Sequence, residues 1–139
     1  MMTTKQPFLI EFPPKGTPET GFLSVAEDNS LIPFPVKRIF WTYEVPDFAE
    51  RGHHAYHHTE QILVVVHGAA KILLESPQRK KLEFELHSPS QGLYLPPLYW
   101  RKVKFYDQAV TLVLSSQAYD EADYIRDYQA FRELRHGTA

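Results

Sequence analysis

With 139 residues, 43% of them hydrophobic and 14% aromatic, the chain has the length and apolar content of one domain with one core. A charged fraction of 23% and a net charge of −2 leave no electrostatic footprint for nucleic acid or for an anionic membrane. The absence of cysteine excludes disulfides, zinc–thiolate sites and thiol nucleophiles, and it fits a cytoplasmic protein.

Met1 to Pro7 leads into only the short apolar run Phe8-Leu9-Ile10, so no signal peptide is expected, and no stretch approaches the ~20 apolar residues of a spanning helix. Residues 1–20 hold Pro7, Pro13, Pro14 and Pro18 and read as an arm with one edge strand at Phe8–Phe12. Phe22–Ala26 is a short strand, and Asp28-Asn29-Ser30 turns the chain. Val36–Tyr43 is rich in β-branched and aromatic residues and reads as a strand ended by Pro46-Asp47. Gln61–Val66 is nearly continuous apolar sequence; His67-Gly68 closes it and Ala70–Glu75 returns. After the polar turn Ser76–Lys80, Lys81–Leu86 alternates with period two. Gly92–Leu95 is short and stops at Pro96-Pro97. Trp100–Phe105 and Ala109–Ser115 follow as two strands. Ile62, Val64 and Val66, with Leu112, Val113 and Leu114, are assigned to the core. In the tail, Tyr124, Tyr128, Phe131 and Leu134/Arg135 recur at helical spacing, with Asp120 as N-cap and Gly137 as terminator. Many short strands and one terminal helix indicate an all-β jelly-roll barrel: one domain over 1–139, with the arm at 1–20, the barrel at 21–116 and the helix at 119–136.

The densest polar cluster runs from Arg51 to Gln61 and holds His53, His54, His57 and His58. In an extended segment His54, Tyr56, His58 and Glu60 share one face, and His53, His57 and Gln61 the other. Imidazole and carboxylate side chains at such spacing suit a metal, while a His-rich stretch is also the common composition of a solvated loop. The spacing His54-x-Tyr56-x-x-x-Glu60, then Gly68, has the layout of the first cupin motif, His-x-His, three residues, Glu, then Gly, with Tyr56 at the second histidine. In the second motif region, Gly92–Arg101, no histidine appears and Arg101 stands near the expected ligand position. Two usual ligands are missing and one replacement is a cation, so the barrel reads as metal-free.

From roughly Gly21 to Phe131 the sequence resembles the metal-independent cupin sugar-nucleotide 3,4-ketoisomerases, which act on dTDP-4-keto-6-deoxyglucose. The matching stretches are Ile32–Arg38, Arg51-Gly52-x-His54-Ala55, Glu60-Gln61, Gly92-Leu93-Tyr94 with Trp100, and Tyr119–Tyr128. The family's Arg-Gly-x-His-Ala-His carries Tyr56 at its last position here, and Arg101 follows the tryptophan where a histidine is usual. The resemblance implies an isomerase that moves the keto group between C4 and C3 with no cofactor and no metal, as a homodimer with exchanged strands.

Such chemistry relocates a proton through an enediolate, and it calls for a base that titrates near neutrality and for donors in a water-poor cavity. His54 is assigned as the base and Tyr56 as donor or proton relay. Arg38 and Arg51 are candidates for the diphosphate, since a guanidinium fork pairs with phosphate oxygens. Arg101 is a second candidate cation, Glu60 a group that orients His54 or satisfies a buried donor, and Trp41, Tyr94 and Tyr99 the aromatics available for the nucleotide base. Two rivals stand beside this reading: a sugar-nucleotide-binding accessory protein that has lost turnover through Tyr56, and a metal cupin using His54, Glu60 and a neighbouring histidine.

Overall fold

The computed structural model of the chain describes residues 5–27 and 31–134; the turn expected at Asp28-Asn29-Ser30, Arg135 and the terminator Gly137 lie outside the described residues. The strands are β1 Phe8–Glu11, β2 Lys15–Thr17, β3 Gly21–Leu23, β4 Arg38–Thr42, β5 Glu50–Tyr56, β6 Gln61–Glu75, β7 Lys81–Leu86, β8 Gln91–Leu95, β9 Trp100–Ser115 and β10 Tyr124–Ile125, followed by the short helix α1 Tyr128–Arg132. An eight-stranded sheet runs β1-β8-β6-β9-β5-β10, with β4 on β9 and β7 on β6, while β2 and β3 form a separate hairpin. Every pairing is antiparallel. This is the expected all-β cupin-type barrel. No helix among the described residues is long and apolar enough to cross a membrane.

Two expected breaks are absent. His67-Gly68 does not end a strand, because β6 continues for 15 residues alongside the 16 residues of β9. The register instead shifts on either side of His67. Gly68 holds φ +76°, and a Cβ there would stand 2.7 Å from the Asp107 carbonyl oxygen. Asp107 and Gln108 on the facing strand also have positive φ. Bulges bend a strand pair, so glycine and turn-formers within an apolar run serve here to curve two long strands rather than to reverse them. Val66 falls at the first bulge and is 42% exposed, so it is not core, whereas Ile62 and Val64 are buried.

The period-two pattern sorts residues into two apolar layers. Leu63, Val65, Ile72, Leu93, Leu95, Val103, Phe105 and Val113 fill the barrel interior. Ile62, Val64, Tyr94 and Leu114 point the other way and are covered by Ile10 and Phe12 of the arm and by Ile32 and Phe34. A third cluster seats Phe131 of α1 and Ile125 on Ala55 and Trp100, on the barrel's outer surface.

The tail departs from the helix expected over 119–136. Asp120 caps only a 3-10 turn, Glu121–Asp123, by accepting from the Ala122 amide; Tyr124–Ile125 then adds to the edge of β5, and Asp127 caps the five-residue α1. Pairing with a free strand edge, Tyr124 opposite Tyr56 and Ile125 opposite Ala55, outweighs the helical period. Asp123 fastens this segment to the barrel. Its carboxylate accepts from the amides of His58 and Thr59, from His58 Nδ1 and from Thr59 Oγ1. Burial pushes its pKa up, but these donors outweigh burial and hold it below the usual carboxylate value. Asp123→Ala is expected to cost about 3 kcal/mol, measured by urea unfolding. Because the folded pKa is depressed, this stabilisation is present above the unfolded pKa and lost as pH falls through the folded one, and the Ala variant should show a flatter acid limb.

Candidate active site

β5 delivers its histidine through a bulge. Arg51 pairs with Val103, Gly52 with Lys102 and His54 with Arg101, so His53 is the extra residue. Gly52 has φ +98° and His53 φ +56°. A Cβ at Gly52 would lie 3.0 Å from the Arg101 carbonyl oxygen, so the Arg51-Gly52 pair has a steric cause. The bulge puts Arg51 and His54 opposite the interior-facing residues Val103 and Arg101, while His53 is exposed beside Glu50.

His54 Nδ1 lies 2.9 Å from the Gly52 carbonyl oxygen. A carbonyl only accepts, so Nδ1 carries the hydrogen and Nε2 holds the free lone pair. Burial, and then the Arg101 guanidinium, push the His54 pKa down to about 3, against the opposing pull of the Gly52 carbonyl. The imidazole is therefore neutral and poised to accept a proton at Nε2. Its ring centroid lies 5.0 Å from Tyr56 and 5.2 Å from Tyr124, and those two lie 4.6 Å apart.

Arg101 is 4% exposed, and its guanidinium carbon sits 4.9 Å above the Tyr56 ring. Its Nη1 donates to Gln61 Oε1 at 2.7 Å and its Nη2 to the Tyr99 carbonyl at 3.4 Å. Its Nε has no partner, nor does the buried Nε of Arg38. Burial lowers the Arg101 pKa to about 10, which still leaves it cationic at neutral pH, and among the described residues it has no carboxylate partner. Burial, opposed by Arg101, pushes the Tyr56 hydroxyl up to about 12, so it is a donor rather than a base. Arg38 pairs with Ser115, whose hydroxyl meets Gln61 at 2.9 Å, and its guanidinium lies over Phe40 and Tyr119 at the barrel rim.

The structure thus brings together His54, Tyr56 and Arg101, with Arg38 linked to them through Ser115 and Gln61, while Arg51 is exposed on β5 opposite Val103. Tyr99 is buried in the barrel interior, and Tyr94, Glu60 and Trp41 lie apart from the site. Tyr94 is buried in the opposite layer, stacked on Phe8 with its hydroxyl on Glu60. Glu60 accepts from Tyr94 and Lys5, so the expected His54–Glu60 contact does not form. Trp41 is 60% exposed on the outer face of β4. The face expected to hold His54, Tyr56, His58 and Glu60 fails because β5 ends at Tyr56 and alternation does not carry through residues 57–60. Gln61 joins the interior instead, and His58 turns out to Asp123. Gln61 and Tyr124 are the site residues that sequence reasoning missed. A buried-type glutamine opening an apolar strand was a usable signal for the first; nothing local marked the second, whose place depends on a pairing partner far away in sequence.

The family described as "FdtA: WxcM-like, C-terminal" matches residues 5–136. The TDP-4-oxo-6-deoxy-alpha-D-glucose-3,4-oxoisomerase of Aneurinibacillus thermoaerophilus is 37% identical over 114 residues, 81% of each chain. The chain belongs to the FdtA family of sugar 3,4-ketoisomerases. Its FdtA-type barrel also superimposes on QdtA, a sugar 3,4-ketoisomerase from Thermoanaerobacterium thermosaccharolyticum solved with TDP, at a TM-score of 0.86 and 37% identity over 91% of this chain and 92% of that one. A histidine-to-asparagine variant of QdtA with TDP-4-keto-6-deoxyglucose bound gives 0.87 and 35% over 94% of each chain. The WlaRB TDP-quinovose 3,4-ketoisomerase of Campylobacter jejuni gives 0.86 and 31% over 94% of this chain and all of that one.

Proposed function

We propose that this protein moves the keto group of a dTDP-linked 4-keto-6-deoxyhexose from C4 to C3. The observation that carries the reading is a tautomer-fixed imidazole, His54, across the ladder from a buried guanidinium, Arg101, that has no carboxylate partner among the described residues. Nε2 of His54 removes the proton at C3, and the negative charge appears on the C4 oxygen. A buried cation without an anion is costly in the free protein and is satisfied when that oxyanion forms, which is preferential binding of the transition state. Tyr56 donates to the same sugar. Arg38 and Arg51, at the rim, hold the diphosphate. His54 then returns the proton at C4.

The test is to incubate the protein with dTDP-4-keto-6-deoxyglucose in D2O. Deuterium entering beside the ketone, with a 3-keto product, supports the assignment. Tight TDP binding with neither exchange nor product marks a binding protein instead.

The pKa of His54 gives a pH signature. A base works when unprotonated, so a depressed pKa extends activity toward acid. The kcat/KM profile, which reports the free enzyme, should show no acid limb near pH 6.5. The bound diphosphate is anionic and raises the imidazole pKa, so the acid limb of kcat should lie at higher pH than that of kcat/KM.

The reading includes a homodimer with exchanged strands. Ile39 and Trp41 of β4, Tyr43 just after it, and Phe22 and Leu23 on the β2–β3 hairpin are exposed large apolar side chains, a concentration that marks an interaction surface. The arm, residues 1–20, which holds the first strand of that hairpin, is the segment assigned to cross to the partner. Light scattering at micromolar concentration should give twice the chain mass, and Trp41→Asp should shift it toward the monomer. The same reading assigns the protein to deoxysugar synthesis for surface glycans in the cytoplasm, in keeping with a chain that has no cysteine.

A further inference from the structure

Among the described residues, Arg101 is held by neutral groups. Nη1 donates to Gln61 Oε1 at 2.7 Å, Nη2 donates to the Tyr99 carbonyl oxygen at 3.4 Å, and the guanidinium carbon lies 4.9 Å from the Tyr56 ring centroid. Gln61, itself 3% exposed, opens β6 and is fixed there by two ladders, opposite Leu95 on β8 and Ser115 on β9. A guanidinium only donates, so the amide must turn its oxygen to Arg101 and its NH2 away. That NH2 donates to Ser115 Oγ at 2.9 Å and to the Tyr56 hydroxyl oxygen at 3.3 Å. Oxygen and NH2 are thus both engaged, and a flipped amide would set donor against donor at Arg101. A glutamate has nearly the same shape and would accept from Arg101 more strongly, since charge-assisted bonds are the stronger ones. It would also neutralise the guanidinium before any substrate arrived. An amide accepts from Arg101, donates to Tyr56 and adds no charge.

Resting on the isomerase reading, we propose that Gln61 is a positioning residue of the reaction, the neutral anchor that aims Arg101 at the sugar without consuming its charge. When the C3 proton leaves, negative charge appears on the sugar oxygen that Arg101 meets. A guanidinium that already faces a carboxylate gives that oxyanion far less, because the pair is close to neutral when seen from the cavity. The amide keeps orientation and charge together. Its second arm acts on Tyr56. The phenol oxygen receives from the Gln61 NH2, so the phenol hydrogen points away from Gln61. A carboxylate at position 61 would reverse that bond and draw the hydrogen toward itself. Gln61 touches no reacting atom in this scheme; it works through Arg101 and Tyr56.

Gln61→Glu is the first test. The Ser115 and Tyr56 hydroxyls can both turn their hydrogens to the new carboxylate, so each buried bond is kept and the urea midpoint should not fall below that of wild type. The kcat for conversion of dTDP-4-keto-6-deoxyglucose should nevertheless fall by roughly 10²-fold. KM and affinity for TDP should stay within about threefold, the split expected when an interaction made in the transition state alone is lost. Exchange of the C3 proton in D2O should fall with conversion, because both pass through the enediolate. A folded Gln61→Glu protein that converts the sugar within about threefold of wild type overturns the proposal. So does a loss that sits in KM and TDP affinity, which marks a displaced site. Gln61→Met removes acceptor and donor together, and it decides the matter should Gln61→Glu lose its fold. It should lower conversion by roughly 10²-fold in the wild-type background, the effect of about 1 Å of misplacement. On top of Arg101→Met it should lower conversion by about tenfold or less, since the Tyr56 arm alone is left to lose. An equal factor in the two backgrounds overturns the proposal, because independent effects multiply. Wild-type protein that neither exchanges nor converts the sugar removes the isomerase reading itself, a result read without any variant.

Discussion

His54→Asn should lower conversion of the 4-keto sugar by roughly 10²–10⁴-fold, the range for loss of a positioned general base. An asparagine amide can still donate to the Gly52 carbonyl oxygen that now receives from His54 Nδ1, so the β5 bulge is retained. The residual amide has no basic nitrogen. Exchange of the C3 proton in D2O should disappear along with conversion, because the lost step is the first one. Affinity for TDP should change little, since the rim arginines are untouched. Stability should hold as well: the imidazole is neutral in the folded protein, so no buried charge is left behind. Paired measurements of exchange and TDP binding check this, and retained exchange would move the base to another residue.

Arg101→Met should reduce conversion by roughly 10²–10³-fold, the effect of removing one preorganised stabiliser of a developing oxyanion. Its effect on folding should be small by comparison. Removing a buried cation without a counter-ion relieves a desolvation cost, while the Gln61 carbonyl oxygen loses its donor, and the two oppose each other. Unfolding free energies from urea titration should therefore agree within about 1–2 kcal/mol while activity collapses. Arg101→Lys should not restore activity, because an ammonium lacks the planar fork that reaches Gln61 and the sugar together. A variant that unfolds while retaining specific activity would show that the guanidinium is structural.

Most of the barrel was legible because period-two alternation and turn residues are local signals. Lys81–Leu86 alternates as read, and Ser76–Lys80 turns as read. What misled was punctuation. His67-Gly68 has the composition of a hairpin turn, yet positive φ serves a bulge equally well, and only the facing positive-φ pair Asp107-Gln108 distinguishes the two. At the candidate site, the motif spacing is enough to place His54, Tyr56 and Arg101 side by side. Tyr94 was misplaced since alternation along β8 puts it with Ile62 and Phe34 on the far side from Leu93 and Leu95. Trp41 failed for the same reason on β4, where Phe40 is the inward residue. The tail was read as a helix because Tyr124, Tyr128 and Phe131 do fall at helical spacing; long-range pairing with β5 overrode that period in its first half and left it intact in α1.

The strand that carries Tyr124 follows β1 to β9 in the chain, and it adds to the edge of β5. A chain stopped just after Ser116 would keep β1 to β9 and the whole interior core, yet it would lack the Asp123 fastening and one wall of the cavity. Such a product is expected to be soluble, to give a β-type circular dichroism spectrum and to be inert. For this barrel, the residues that fill the interior and the strand that walls the cavity beside His54 are encoded in sequence, fewer than a dozen codons apart.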